Sequence, residues 1–147
     1  MKFQDFTSRK KLVLDHDCME LAKQTADKGL ASGNPPDGAV LRAGSIILSE
    51  SDTTISEDDP TNHAVMNVVK KAIQTLNRQL YDATLYTIKE PCSMCILAAH
   101  YAGIKEVVFQ EKDLEYGFVN SKLKLNESLL SYREGLFNED ANLQSNE

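Results

Sequence analysis

The chain reads as an α/β domain with helices layered on a sheet, and three stretches carry that prediction. "ATLYTI" (Ala83 to Ile88) is β-rich, "CSMCILAAHYA" continues helically behind Pro91, and "EVVF" from Glu106 is β-rich again. Two parallel strands joined by a crossover helix require a layered α/β arrangement. "GAVLRAGSIILSES" adds a hairpin at one side of the same sheet, and the apolar stripe that begins at Ala64 supplies a second helix to cover it.

Taken in order, Met19, Ala22, Ala26 and Leu30 recur at steps of three and four, which predicts a helix from Asp15 to about Ser32. Asp15 or Asp17 can cap its start and Gly33 can end it. "GNPPDG" (Gly33 to Gly38) holds too many turn residues to be regular and reads as a short loop. The hairpin strands are predicted at about Ala39 to Leu41 and Ser45 to Ser49, joined at Arg42-Ala43-Gly44. Asp58, Asp59 and Pro60 break the chain again. Thr61 can cap a helix whose broad apolar face is Ala64, Val65, Val68, Val69, Ala72, Ile73 and Leu76, with His63 in its first turn. Gly103 suits the end of the crossover helix. Leu125, Leu129, Tyr132 and Leu136 predict a last helix over Leu123 to Phe137, and residues 138–147 form a polar end expected to fray.

The 147 residues fit one domain, placed at 1–137, and 41% apolar content is enough to fill a core. A formal charge of −6 argues against a broad field that attracts nucleic acid, so tRNA binding is not expected. No apolar run approaches the roughly 20 residues of a membrane span, and "MKFQDFTSRKK" lacks the apolar core of a secretory signal. Three cysteines, two of them in C-x-x-C, suit a reducing, cytoplasmic compartment with metal or redox use. Cys18 stands alone and reads as a small buried hydrophobe.

Cys92 and Cys95 are three apart in the opening turn of one helix, and His63 opens another, so their ligand atoms can converge beyond two helix N-termini. Two thiolates and an imidazole suit tetrahedral zinc, with a fourth position left for water. Separately the signals have other readings: the C-x-x-C as a redox pair, the histidine as a surface residue. Together they match the H-x-E and P-C-x-x-C signature of zinc deaminases, except that Val65 stands where the glutamate belongs.

The phrases "GNPPDGAV", "DPTNHAV", "ATLYTIKEPCSMC" and "AGIKEVVF" span about Asp17 to Phe109. In them the chain resembles the cytidine deaminase-like superfamily, in particular the branch of guanine deaminases and tRNA adenosine deaminases. The family commonly has Pro-Phe/Val-Gly-Ala-Val, Asp-Pro-Thr-Ala-His-Ala-Glu and Ala-Thr-Leu-Tyr-x-Thr-x-Glu-Pro-Cys-x-Met-Cys at these places. The resemblance implies a three-layer sandwich, a five-stranded mixed sheet between helices, Zn2+ held by His63, Cys92 and Cys95, a nucleobase or nucleoside ligand, and a homodimer or higher oligomer. "EKDLEYGF" is more similar to the guanine side of the branch.

Two departures bear on activity. Val65 cannot move protons, help that is worth roughly 10²–10⁴ in rate. The non-catalytic partner subunit of the eukaryotic tRNA adenosine deaminase is similar here, with His-Ala-Val, so a pseudo-deaminase that binds a ligand or partner is the alternative to an active enzyme. Asp52 falls where relatives have an asparagine that holds the base; an ionised aspartate only accepts hydrogen bonds. A shift of the hairpin by a residue or two would leave it merely solvated. Glu115 and Glu90 are the candidate substitutes for the missing glutamate, in that order. Glu115 has solvent exposure as its other reading, and Glu90 has bracing of the metal loop.

Overall fold

Two apolar clusters, one on each side of a single sheet, organise the chain. The structure is a computed structural model that describes residues 3–121 and 131–135, with side chains from Leu14 onward. The elements are α1 (Phe3–Ala31), β1 (Gly38–Ala43), β2 (Ile46–Ser51), α2 (Ala64–Leu76), β3 (Ala83–Lys89), α3 (Ser93–Tyr101), β4 (Glu106–Glu111) and β5 (Ser131–Glu134). The sheet order is β2-β1-β3-β4-β5. β1 is antiparallel to β2 and β3, whereas β3, β4 and β5 run parallel. This is the five-stranded mixed sheet of the expected α/β sandwich.

Strand alternation sorts the side chains into the two outer layers. Ala39 and Leu41 of β1, Leu85 of β3, and Val107 and Phe109 of β4 join α2 and α3 residues in one cluster. The intervening Val40, Tyr86 and Val108 join Cys18, Met19 and Ala22 of α1 in the other. Cys18 is buried, as its reading as a small hydrophobe requires.

Several boundaries differ from the sequence reading. α1 begins at Phe3, twelve residues before Asp15, so neither Asp15 nor Asp17 caps it. Asp15 is instead buried mid-helix. Gly33 does end α1, at a φ of +87° that glycine adopts without strain. Leu30, which the sequence spacing places on the inner face, is 54% exposed. The hairpin strands are longer than predicted: Ala43 pairs with Ile46, leaving a two-residue turn that opens on Gly44 at φ +62°. α2 is capped by His63 and not by Thr61, whose hydroxyl binds Asp59. It ends at Asn77 in the left-handed conformation.

Within the described residues a strand stands in place of the predicted last helix. Ser131–Glu134 is a strand that pairs with the open edge of β4. The register decides it: Tyr132 lies opposite Val107 and stacks on Phe109, while Arg133, opposite Val108, turns to the α1 side. The rest of that prediction, 123–130 with 136 and 137, and the polar end at 138–147 lie outside the described residues.

Candidate metal centre

His63 and Cys92 are both helix N-caps with extended backbones and no side-chain capping bond, so imidazole and thiol are free to turn away from their own helices. Cys95 sits one turn into α3. The convergence of the two helix starts places Cys92 Sγ 3.5 Å and Cys95 Sγ 3.4 Å from His63 Nδ1. All three ligand atoms lie within 4.8 Å of one another. A tetrahedral zinc with ordinary Zn–N and Zn–S bonds needs an N···S separation of about 3.5 Å. The cluster therefore fits the ion in size as well as in donor type. The cysteines are free thiols, not a disulfide.

The thiols divide one negative charge between them. Cys92 is lowered to about 5, chiefly because the Cys95 thiol donates to it, aided by the Cys95 backbone N–H and by His63. Cys95 is pushed far above the usual thiol range, first by that same donation and then by burial. The Met66 N–H, from the first turn of α2, donates to its sulfur and opposes the shift. Two thiolates in this corner need a cation, which is what a divalent metal supplies.

Neighbouring segments hold the ligands from behind. Asn67 Nδ2 donates to Ser51 O, Thr53 Oγ1 and Asn62 O, tying the end of β2 to the segment before His63. Glu90 is buried, and both its oxygens are taken by backbone donors: Asp113 N at 3.2 Å and Val119 N at 2.8 Å. It braces the metal loop against the segment that follows β4. Gly117 pairs with Cys92 in an isolated bridge, and a Cβ there would meet the Glu90 carboxylate well inside van der Waals contact. Gly117→Ala is therefore expected to destabilise the fold by about 1–3 kcal/mol through overpacking, seen as a lowered urea midpoint.

The cluster opens on a pocket of about 710 Å³. Val65 lines it and is only 3% exposed, an apolar wall continuous with the α2 core. Asp52 lines it too, with Oδ1 occupied by the Thr54 N–H and hydroxyl at 2.8 and 2.7 Å. Glu115 is exposed and does not line the pocket; Asp113 and Tyr116 on either side of it do.

Asp37 is the pocket residue that the sequence reading missed. It stands opposite Asp52 across the end of the hairpin, one step beyond the Gly38–Ser51 pair, and its carbonyl accepts the Asp52 N–H at 3.1 Å. Its Oδ1 is buried without a hydrogen-bond partner. Burial, and secondly the Asp52 charge, raise the carboxyl to about 6. The signal was present in "GNPPDGAV", an aspartate where the family pattern has Phe or Val.

Fold and cluster define a layered α/β protein with a histidine and two cysteines positioned to bind a metal at two helix N-termini. Residues 13–111 match the model of the cytidine and deoxycytidylate deaminase zinc-binding region, and the chain belongs to that family. A tRNA-specific adenosine deaminase of Haemophilus influenzae is 36% identical over 111 residues, 74% of this chain and 64% of the relative. A guanine deaminase of Bacillus subtilis is 36% identical over 78 residues, 52% of this chain and 50% of the relative. The matched region thus spans less than two thirds of either relative.

Among solved structures, one from a study of A-to-I editing by tRNA:A34 deaminases superposes with a TM-score of 0.75 at 28% identity, covering 82% of this chain and 98% of that one. The guanine deaminase structure from Bacillus subtilis gives 0.65 at 25% identity, covering 88% and 91%. No helix among the described residues is long and apolar enough to cross a membrane.

Proposed function

We propose that the chain is a zinc-dependent hydrolytic deaminase of uncharged nucleobases or nucleosides, with guanine-type bases first. The observation that carries this reading is the convergence of His63, Cys92 and Cys95 at the floor of an open pocket. A bound zinc would supply an acidified water at its open position. The chain's own residues do the rest: Val65 and Met94 give the base apolar walls, and Asp52 offers an acceptor where relatives offer an amide. Asp37, Asp52, Glu90 and Asp113 face the pocket against one cation, Lys89. That balance repels phosphates and favours a free base over a nucleotide or tRNA.

Zinc-loaded protein is expected to release ammonia from at least one of guanine, adenine, cytosine and their nucleosides, above a zinc-stripped control. No release from any of them would overturn the reading. A second reading, a pseudo-deaminase, is favoured by one observation, the burial of Val65 in the α2 core at the glutamate position. It requires saturable binding of a base with no release. A homodimer or higher oligomer, as the resemblance implies, and a cytoplasmic location, as the cysteine usage suggests, belong to the first reading, and sedimentation equilibrium measures the oligomeric part.

A further inference from the structure

Resting on the deaminase reading, we propose that Asp37 is the proton-carrying carboxylate of this site, doing from the loop before β1 what Val65 cannot do from α2. The placement follows from strand alternation. A Cβ on Gly38 would run into the α1 backbone at Ala22 O and, at 2.7 Å, Ala26 N, so position 38 faces α1. Ala39 faces the cluster of α2 and α3. Asp37 is on the same side as Ala39 and lines the pocket together with His63, Val65 and Cys95.

The other carboxylates on that wall are engaged. Glu90 accepts backbone N–H groups on both oxygens, Asp113 Oδ1 accepts those of Glu115 and Tyr116, and Asp52 Oδ1 accepts two donors from Thr54. The Asp37 carboxyl takes the Gly38 N–H, but its Oδ1 is buried with no partner. A buried acceptor left unpaired is unfavourable, and such groups persist where a ligand or reacting atom completes them. Asp37 is not among the three grouped ligand atoms but lines the same pocket as all of them, which suits a role beside the metal position and not as a fourth ligand. Relative to the family pattern, acid and aliphatic side chain have changed places across one pocket, Asp37 for Phe/Val and Val65 for Glu.

The step balances. The water oxygen bonds to the amine-bearing ring carbon while one water proton passes to Asp37, which delivers it to the adjacent ring nitrogen. The remaining hydroxyl proton travels by the same carboxylate to the amine as the C–N bond breaks. One water and one amine become one carbonyl and one ammonia, and Asp37 ends ionised as it began.

The test compares the zinc-loaded full chain with Asp37→Asn, Asp37→Val and the exchange variant Asp37→Val/Val65→Glu, using guanine, adenine and cytosine as probes. Asp37→Asn is expected to lower ammonia release by roughly 10²–10⁴-fold with one zinc per chain retained. Zinc affinity, measured by competition with a chelator, should weaken by about tenfold, as when a group bonded to a metal's water is lost. The exchange variant should recover release. Wild-type release and wild-type zinc affinity in Asp37→Asn would overturn the proposal and leave the deaminase reading standing. Release by the exchange variant alone, with wild type inert, would overturn it too. If no variant releases ammonia, the deaminase reading fails, and an unchanged zinc affinity in Asp37→Asn then overturns the proposed contact as well.

Discussion

Stripping the metal with a chelator is expected to lower the melting temperature of the zinc-loaded protein by roughly 8–16 °C. A ligand present at a thousandfold excess over its Kd stabilises by about 4 kcal/mol, and for a chain of this size 1 kcal/mol corresponds to about 2–4 °C. The structural reason is the division of charge between Cys92 and Cys95. Without a cation only one of them ionises, so the corner where α2 meets α3 is held by a thiol donating to a thiolate. With a cation both sulfurs and His63 pull on one point. Readdition of zinc should restore the transition, and Cys95→Ser should abolish the response to chelator. The pH dependence has a definite sign. In the metal-free fold Cys92 is depressed, so there its contribution is present above the ordinary thiol pKa near 8.5 and is lost as pH falls through about 5. Unchanged melting after verified zinc removal would contradict the account.

Asp15→Ala should destabilise the fold by about 1–3 kcal/mol, the usual cost of leaving a buried donor without its acceptor. Asp15 is 1% exposed on the α1 side of the sheet. It accepts the Tyr86 hydroxyl and, at 3.1 Å, Arg133 Nη1. Arg42 Nη2 donates to the Tyr86 hydroxyl at 3.0 Å, and Arg133 Nη2 donates to Glu106 at 2.8 Å. Burial, and then the bond to Asp15, push the Tyr86 hydroxyl well above the ordinary phenol range, so it stays a donor. Truncating Asp15 leaves that hydroxyl and two guanidinium groups short of an acceptor. Asp15→Asn, which keeps an acceptor oxygen, should lose distinctly less, and a urea denaturation series measures both. Equal loss in the two variants would show that packing, not the acceptor, is what Asp15 provides.

The metal centre was legible because its information is local: Cys92 and Cys95 are one helical turn apart, and His63 follows a turn sequence that sets a helix start. The crossover unit β3-α3-β4 was legible for a similar reason, since periodicity and flanking turn residues mark each piece. Asp37 was not, although the motif containing it was noticed. Its orientation depends on hairpin register and on α1 pressing against Gly38, neither of which a single stretch records. Asp15 was read as a cap because aspartate favours helix starts; the partners that explain its burial are 71 and 118 residues away. β5 failed for a different reason. Tyr132 suits a helical stripe and a strand face equally well, and the free edge of β4 decided between them.

The bond between Asp15 and Arg133 also joins distant parts of the chain. Helix α1 carries an acid shielded from water, and its two arginine partners come from distant segments, Arg42 at 3.9 Å and Arg133, 118 residues away, at 3.1 Å. Arg42 and Tyr86 reach the same carboxylate from β1 and β3, so one buried acid ties the first helix to three strands of the sheet, including the one at its far edge.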